Sequence, residues 1–146
     1  MSTPPRIANP DDAAVVTRLL KAFFSHEGRE VRHLRQNVEA ILYDPGRGFF
    51  TLAGDAAVAT TTIRISAGGG ASAEIEEIWV QPSARGRGLG ASLLRNAVDE
   101  CRRRGIESIE LRVTPDDREL GIPDFYTKQG FRHRGLQIME FSGEEA

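Results

Sequence analysis

The chain contains 146 residues, of which 40% are hydrophobic and 27% charged, and its formal net charge is -2. These values predict a single domain over residues 1–146 and exclude a disordered chain or a polycation that binds nucleic acid through its overall charge. The N-terminus lacks the apolar segment of a signal peptide, and no apolar run approaches the roughly 18 residues that cross a bilayer, so we expect a cytoplasmic protein without membrane contact. The single cysteine, Cys101, excludes an internal disulfide framework, and we expect no structural metal.

The first part of the chain predicts a short strand followed by two helices. Arg6 to Ala8 form the strand, and Asn9 followed by Pro10 is typical of a helix N-terminus, because asparagine caps free amides and proline suits the first helical position. Apolar residues then recur at helical spacing in two stripes, which predict two amphipathic helices. The first stripe comprises Val16, Leu19, Leu20 and Phe23, and the second comprises Val31, Leu34, Val38, Ile41 and Leu42.

The middle of the chain predicts an antiparallel meander. Two runs rich in β-branched and apolar residues, Phe49 to Ala53 and Ala57 to Ser66, flank the turn residues Gly54 and Asp55 and predict a hairpin. Residues Glu74 to Val80 then alternate as an extended strand does.

The last part returns to alternating helices and strands. A helix from about Gly88 to Arg104 precedes a strand from Ile106 to Val113, and a short helix from Asp124 to Lys128 precedes a final strand from Phe131 to Phe141. The whole order predicts an α/β domain, in which helices flank a mixed, mostly antiparallel central sheet.

The segment that carries chemistry joins the third strand of the meander to the long helix. Amides at a helix N-terminus have no partners within the helix and bind phosphate wherever side chains do not block the approach. Glycines at positions 86, 88 and 90 leave that approach open, and Arg85 and Arg87 add positive charge. We therefore expect a pyrophosphate site made by Arg85, Gly86, Arg87, Gly88, Leu89, Gly90 and Ala91.

Other interpretations of this segment remain. A glycine-rich turn can simply cap a helix, and the dinucleotide fingerprint G-x-G-x-x-G/A is matched by Gly86, Gly88 and Ala91. A dinucleotide site would require the strand to run directly into its first glycine, whereas residues 82–85 intervene here. A P-loop is excluded because no lysine follows the glycines.

The pattern Val80-x-Pro82-x-x-Arg85-Gly86-x-Gly88-x-Gly90 resembles motif A of the GNAT N-acetyltransferase superfamily. Residues 109–113 and 124–131 are similar to that family's next strand and to its closing tyrosine motif. The resemblance implies that the chain is an N-acetyltransferase, which binds the pyrophosphate of acetyl-CoA on the loop and its pantetheine beside Ile78, Trp79 and Val80. It also implies direct attack by an amine on the thioester, with the oxyanion held by a strand amide near Val80.

Two further groups are implied for the reaction. Tyr126 lies where the resembling family places a tyrosine whose hydroxyl faces the CoA sulfur, so we expect it to protonate the leaving thiolate rather than only to pack the sheet. An attacking amine must first lose a proton, and Glu74, Glu76 and Glu77 are candidate bases. We favour Glu77, which strand alternation places on the same face as Trp79 and opposite Ile78 and Val80; a solvated strand face is the alternative.

The acceptor is expected to be a small-molecule or peptide amine, not a nucleic acid. His26, Glu27, Arg29 and His33 lie in or beside the helices that wall the acceptor pocket in the resembling family. Asp117 stands where many members place an asparagine that contacts pantetheine. Homodimers through the final strand are common in that family. The alternatives to an enzyme are a non-catalytic acyl-CoA-binding module of the same fold and a dinucleotide-binding domain.

Overall fold

The computed structural model describes residues 3–112, 122–135 and 138–143 of the chain. These residues divide into two compact units, one ending at Arg112 and the other beginning at Val113. The first unit contains the strands β1 (Arg6–Ile7), β2 (Gly48–Ala53), β3 (Ala57–Ser66), β4 (Gly70–Val80) and β5 (Ser108–Glu110) and the helices α1 (Ala13–His26), α2 (Leu34–Leu42) and α3 (Leu89–Arg103). The second contains helix α4 (Ile122–Lys128).

The five strands form one sheet in the order β1-β2-β3-β4-β5. The first three pairings are antiparallel, and β4 pairs with β5 in parallel. The prediction of a mixed, mostly antiparallel sheet flanked by helices is therefore confirmed.

The sheet is covered by helices on both faces. On one face, Trp79 packs with Phe50, Leu52 and Val58 against α1 and α2. On the other face, Ile78 and Val80 pack against Leu89 and Leu93 of α3. Because side chains alternate along a strand, the predicted division of β4 into two faces is confirmed. The face of Trp79, however, is also covered by helices.

The start of α1 forms as the sequence predicts. The Asn9 side chain accepts a hydrogen bond from the Asp11 amide (2.9 Å), and the Asp12 carboxylate accepts one from the Asn9 amide (2.8 Å). These bonds satisfy amides that have no partner within the helix, and they close a single 3-10 turn, Pro10–Asp12, that leads into α1. The Asp12 carboxylate also accepts hydrogen bonds from both terminal guanidinium nitrogens of Arg6, which ties β1 to this turn.

The ladder between β3 and β4 contains a β-bulge. Ala59 pairs with Ile78 but Thr61 pairs with Ile75, so two residues of β4, Glu76 and Glu77, lie opposite Thr60 alone. A regular strand would send consecutive side chains to opposite faces, and the extra residue changes that alternation at this point.

The second unit departs from the sequence predictions at its end. The expected final strand from Phe131 to Phe141 is wrong for the described residues 131–135 and 138–143, which form no strand. Gly135 has a φ of 73°, in the left-handed region, where an extended strand is interrupted. The predicted strand to Val113 is shorter too, since β5 ends at Glu110, and Val113 itself lies outside the described residues.

The short helix of the second unit begins two residues earlier than predicted, at Ile122. Pro123 lies in its first turn, where a missing amide hydrogen breaks no helical bond, so the proline does not disrupt it.

Candidate active site

The loop before α3 presents a row of free backbone amides. After the amide of Arg85, which lies 3.4 Å from the Pro82 carbonyl, the next backbone donor is Ser92, bonded to Gly88 O at 3.0 Å. Within the described residues, none of the amides of residues 86–91 has a hydrogen-bond partner. The loop is also exposed at Gly86, Arg87 and Gly88. The six amides of residues 86–91, at the positive end of a helix, can therefore donate hydrogen bonds to an anion.

Backbone conformation explains two of the glycines. Gly86 and Gly88 have φ values of 82° and 76°, and an added Cβ at either position would meet nothing within 4 Å. Glycine is therefore required here by the left-handed conformation that turns the chain into the helix, not by crowding within the protein.

The side chain of Arg85 folds back onto the end of β4. Its Nε donates to the Val80 carbonyl at 3.0 Å, and its guanidinium lies 4.9 Å from the centroid of the Trp79 ring. Trp79 is 7% exposed and is also in edge contact with Phe23, at 6.2 Å between ring centroids. Arg85 thus links the strand to the loop. Both Arg85 and Arg87 are exposed.

Glu77 is a half-buried carboxylate on β4. Burial is the main reason that its pKa is raised to about 7, and the neighbouring charges of Glu76 and Glu74 raise it further, whereas Arg29 lowers it. A carboxyl group that titrates near neutral pH can take a proton from an ammonium group and release it to solvent. The other two candidate bases are differently placed, since Glu74 lies 3.3 Å from Arg112 and Glu76 accepts a hydrogen bond from the Thr62 hydroxyl.

Two cavities adjoin in front of Glu77. The smaller, of about 130 Å³, is lined by three polar residues of the sheet, by Asn37 of α2 and by apolar residues of α1, α2, β2 and the segment between the helices; the three from the sheet are Thr60, Glu76 and Glu77. The larger, of about 420 Å³, is lined by Thr17, Lys21, Phe24, Ser25, Arg29, Glu30, Val31 and Leu34. Phe24, Val31 and Leu34 line both, so the two form one groove that ends at the bulge.

A buried hydroxyl also lines this groove. Thr60 is 3% exposed, and its Oγ1 is buried without a hydrogen-bond partner among the residues that the structure describes. Buried hydroxyls are normally satisfied, so a water or a polar ligand atom in the cavity beside Glu77 is the expected partner.

Two predicted site residues lie beyond the first compact unit. Tyr126 is half-buried in α4 and packs against Phe125 and Phe131, with ring centroids 5.4 and 6.1 Å apart. It belongs to the second unit, and its role stays a prediction. Asp117 lies outside the described residues.

Two groove residues were not predicted from the sequence. Thr60 gave no signal, because it lies in a run of three threonines, 60–62, and only the assembled cavity distinguishes it. Lys21 did give a signal. Thr17, Lys21 and Phe24 are spaced by four and then three residues, which places the lysine on the same helix face as a core phenylalanine.

The model of the acetyltransferase (GNAT) family matches residues 13–131 of the chain. The chain belongs to this family. The match includes the strand, the loop and the helix that present the free amides, as well as Tyr126.

Comparison with known GNAT proteins gives partial sequence matches and full-length structural matches. The chain is 39% identical over 62 residues to an uncharacterised N-acetyltransferase of Methanocaldococcus jannaschii. The matched segment covers 42% of this chain and 26% of the relative. It is 35% identical over 71 residues to a probable glucosamine 6-phosphate N-acetyltransferase of Oryza sativa subsp. japonica, covering 49% of this chain and 40% of the relative. These matches thus span less than half of each curated relative.

A solved aminoglycoside N-acetyltransferase in complex with CoA has the same fold. It superposes with a TM-score of 0.78 over 97% of this chain and 96% of that chain, at 19% sequence identity. Neither a membrane-spanning helix nor a cluster of three potential metal ligands occurs among residues 3–112, 122–135 and 138–143.

Proposed function

We propose that the protein transfers the acetyl group of acetyl-CoA to the amine of a small molecule, with Glu77 as the base and Tyr126 as the acid. The observation that carries this proposal is the groove, which ends at a carboxylate titrating near neutral pH on the strand that leads directly into the loop of free amides. A pure binding module would not require such a carboxylate.

The loop fits the pyrophosphate of acetyl-CoA. Six amides without protein partners, an exposed Arg87 and glycines at the positions of positive φ offer several donors to an anion without side chains in the way. Family membership supports this cosubstrate, as does the structural likeness to an N-acetyltransferase in complex with CoA.

The groove fits the amine. An ammonium group entering the smaller cavity donates one proton to the Glu77 carboxylate, and the free amine can donate a hydrogen bond to Thr60 Oγ1. The nitrogen lone pair then attacks the thioester carbonyl carbon, and a C–N bond forms while the C–S bond breaks.

The protons balance as follows in this scheme. Relative to the ammonium form, the acceptor nitrogen loses two protons in becoming an amide. One reaches solvent through Glu77, and the other replaces the proton that the Tyr126 hydroxyl gives to the departing thiolate. A phenol is a suitable donor, since its ordinary pKa lies near 10.

Thermal melting with acetyl-CoA, CoA or NAD tests the cosubstrate, because a ligand that binds only the folded protein raises its melting temperature. We expect both CoA forms to raise it and NAD to have no effect; a rise with NAD alone would support a dinucleotide-binding domain. Thiol release from acetyl-CoA with a panel of amines then tests transfer. Binding without release for any amine would indicate a non-catalytic acyl-CoA-binding module.

A further inference from the structure

The charges in the groove are separated along its length. The smaller cavity carries the carboxylates of Glu76 and Glu77, whereas the larger cavity carries the cations of Lys21 and Arg29. Among the described residues that line this larger cavity, Glu30 supplies the one negative charge. A molecule that fills the groove therefore meets acids at one end and an excess of positive charge at the other.

The two cations, Lys21 and Arg29, are exposed. Neither Lys21 nor Arg29 forms an ion pair within the described part of the chain. Arg29 is nevertheless held in place, because its guanidinium lies 5.0 Å from the centroid of the Phe24 ring and its amide donates to the Phe24 carbonyl at 2.8 Å. An arginine held in this way presents its donors at little cost in side-chain entropy.

Phe24 connects Arg29 to the smaller cavity of the groove. Its ring lines both cavities, so the guanidinium above it lies near their junction. The charge of Arg29 also acts on Glu77 across the groove. An anionic group at Arg29 would therefore lie within the length of a small molecule from an amine at Glu77.

We propose that the acceptor is a small amine that also carries an anionic group, a carboxylate or a phosphate, which Arg29 and Lys21 bind while Glu77 receives the amine. This inference rests on the proposed function and names the substrate class of the same groove. The cavity of about 420 Å³ is in the range of small-molecule sites. An anion there replaces the missing partner of both cations through charge-assisted hydrogen bonds.

Pairs of amines that differ only in the anionic group test the inference by thiol release. Glucosamine 6-phosphate is compared with glucosamine, and β-alanine with propylamine, at low salt so that surface charges are not screened. We expect the anionic member of at least one pair to have a kcat/KM about tenfold higher or more, and the pair that shows it distinguishes phosphate from carboxylate. Equal or better use of the neutral members would overturn the inference while leaving acetyl transfer intact.

Variants connect the preference to the two cations. We expect Arg29→Gln and Lys21→Gln each to reduce about tenfold the ratio of kcat/KM for the anionic amine to kcat/KM for its neutral partner, since each removes one charge-assisted bond. Arg32→Gln is the matched control, because Arg32 is exposed beside Arg29 but lines neither cavity. An unchanged preference in both groove variants would contradict the assignment.

Melting with the amines alone tests the groove without catalysis. The anionic amines should raise the melting temperature of the wild type and of Arg32→Gln, and not that of Arg29→Gln. If acetyl-CoA neither binds nor releases thiol, the proposed function fails, and this melting result still decides whether the groove takes anionic amines. No shift with any anionic amine would overturn the inference.

Discussion

The guanidinium of Arg85 lies 4.9 Å from the centroid of the Trp79 ring, and Trp79 is the one tryptophan of the chain. The same side chain donates a hydrogen bond to the Val80 carbonyl, so Arg85 contacts the end of β4 at both a side chain and the backbone. The loop and the groove therefore share one support: Trp79 belongs to the core beneath α1, and Arg85 immediately precedes the row of free amides.

Replacing Arg85 should loosen this support. We expect Arg85→Gln to lower the free energy of unfolding by about 1 kcal/mol, because a cation–π contact and a hydrogen bond are lost at an exposed site. Denaturant unfolding gives the free energy, and the emission of Trp79 reports the change of environment. Arg95→Gln, at an exposed position of α3, should change neither; identical results for the two variants would contradict a supporting role for Arg85.

Replacing a loop glycine should separate stability from cosubstrate binding. Gly88→Ala places an alanine at a φ of 76° with open space around its Cβ, so we expect a loss of about 1 kcal/mol in stability together with a large loss of acetyl-CoA affinity. Gly105→Ala is the matched control, because Gly105 has a φ of 80° and equally open space but lies beyond the other end of α3. Calorimetric titration should show an equal affinity for acetyl-CoA in Gly105→Ala and in the wild type. Equal affinities in both variants would argue against the loop site.

The pH dependence of activity should follow Glu77. With a pKa of about 7, its carboxylate form is lost as the pH falls below neutrality, so kcat/KM should rise with pH up to about that value. We expect Glu77→Gln to lower kcat/KM by about 100-fold at pH 8 and to remove this part of the profile. A variant profile that keeps the same inflection would show that another group titrates.

The stability of the protein should also depend on Glu77. The folded state holds the proton of this residue up to about pH 7, whereas an unfolded chain releases it at the ordinary, lower pKa of glutamate. The contribution of Glu77 is therefore present in full at acidic pH and is lost as the pH rises to about 7. Glu77→Gln should equal the wild type in stability near pH 4 and exceed it at pH 8, by at most about 3 kcal/mol. Denaturant unfolding at the two pH values measures this difference; a variant less stable than the wild type at pH 8 would contradict the assigned burial.

Removal of the Tyr126 hydroxyl should affect turnover alone. We expect Tyr126→Phe to lower kcat about 100-fold, while acetyl-CoA affinity and melting temperature stay close to those of the wild type. Tyr43→Phe is the control, because Tyr43 is the other tyrosine and is 71% exposed. Unchanged turnover in Tyr126→Phe would remove this residue from the mechanism.

The sequence predicts the elements around the loop well because their signals are local. Asn9 caps the turn before α1 through its own side chain, and Gly86 and Gly88 have the backbone conformations that only glycine adopts readily. The order of strands and helices follows from hydrophobic periodicity, so the family fold and the site loop could be inferred without coordinates.

The groove could not be predicted in the same way. Strict alternation separates Glu76 from Glu77, and only the register shift opposite Thr60 brings both to one cavity. Likewise, the charge of Arg85 suggested a phosphate contact, whereas the fold of the turn directs its side chain to Trp79 and Val80. The bulge depends on how β3 and β4 pair, and the direction of the Arg85 side chain depends on the turn before α3; hydrophobic periodicity contains no record of either.

The most direct test of acetyl transfer is a single reaction in which free thiol and the mass of the acceptor are followed together at pH 8, with wild type and Glu77→Gln side by side. The proposed function predicts that thiol appears in step with a singly acetylated amine in the wild type and far more slowly in the variant. Thiol release without an acetylated product, or equal rates in the two proteins, would contradict transfer to an amine at Glu77.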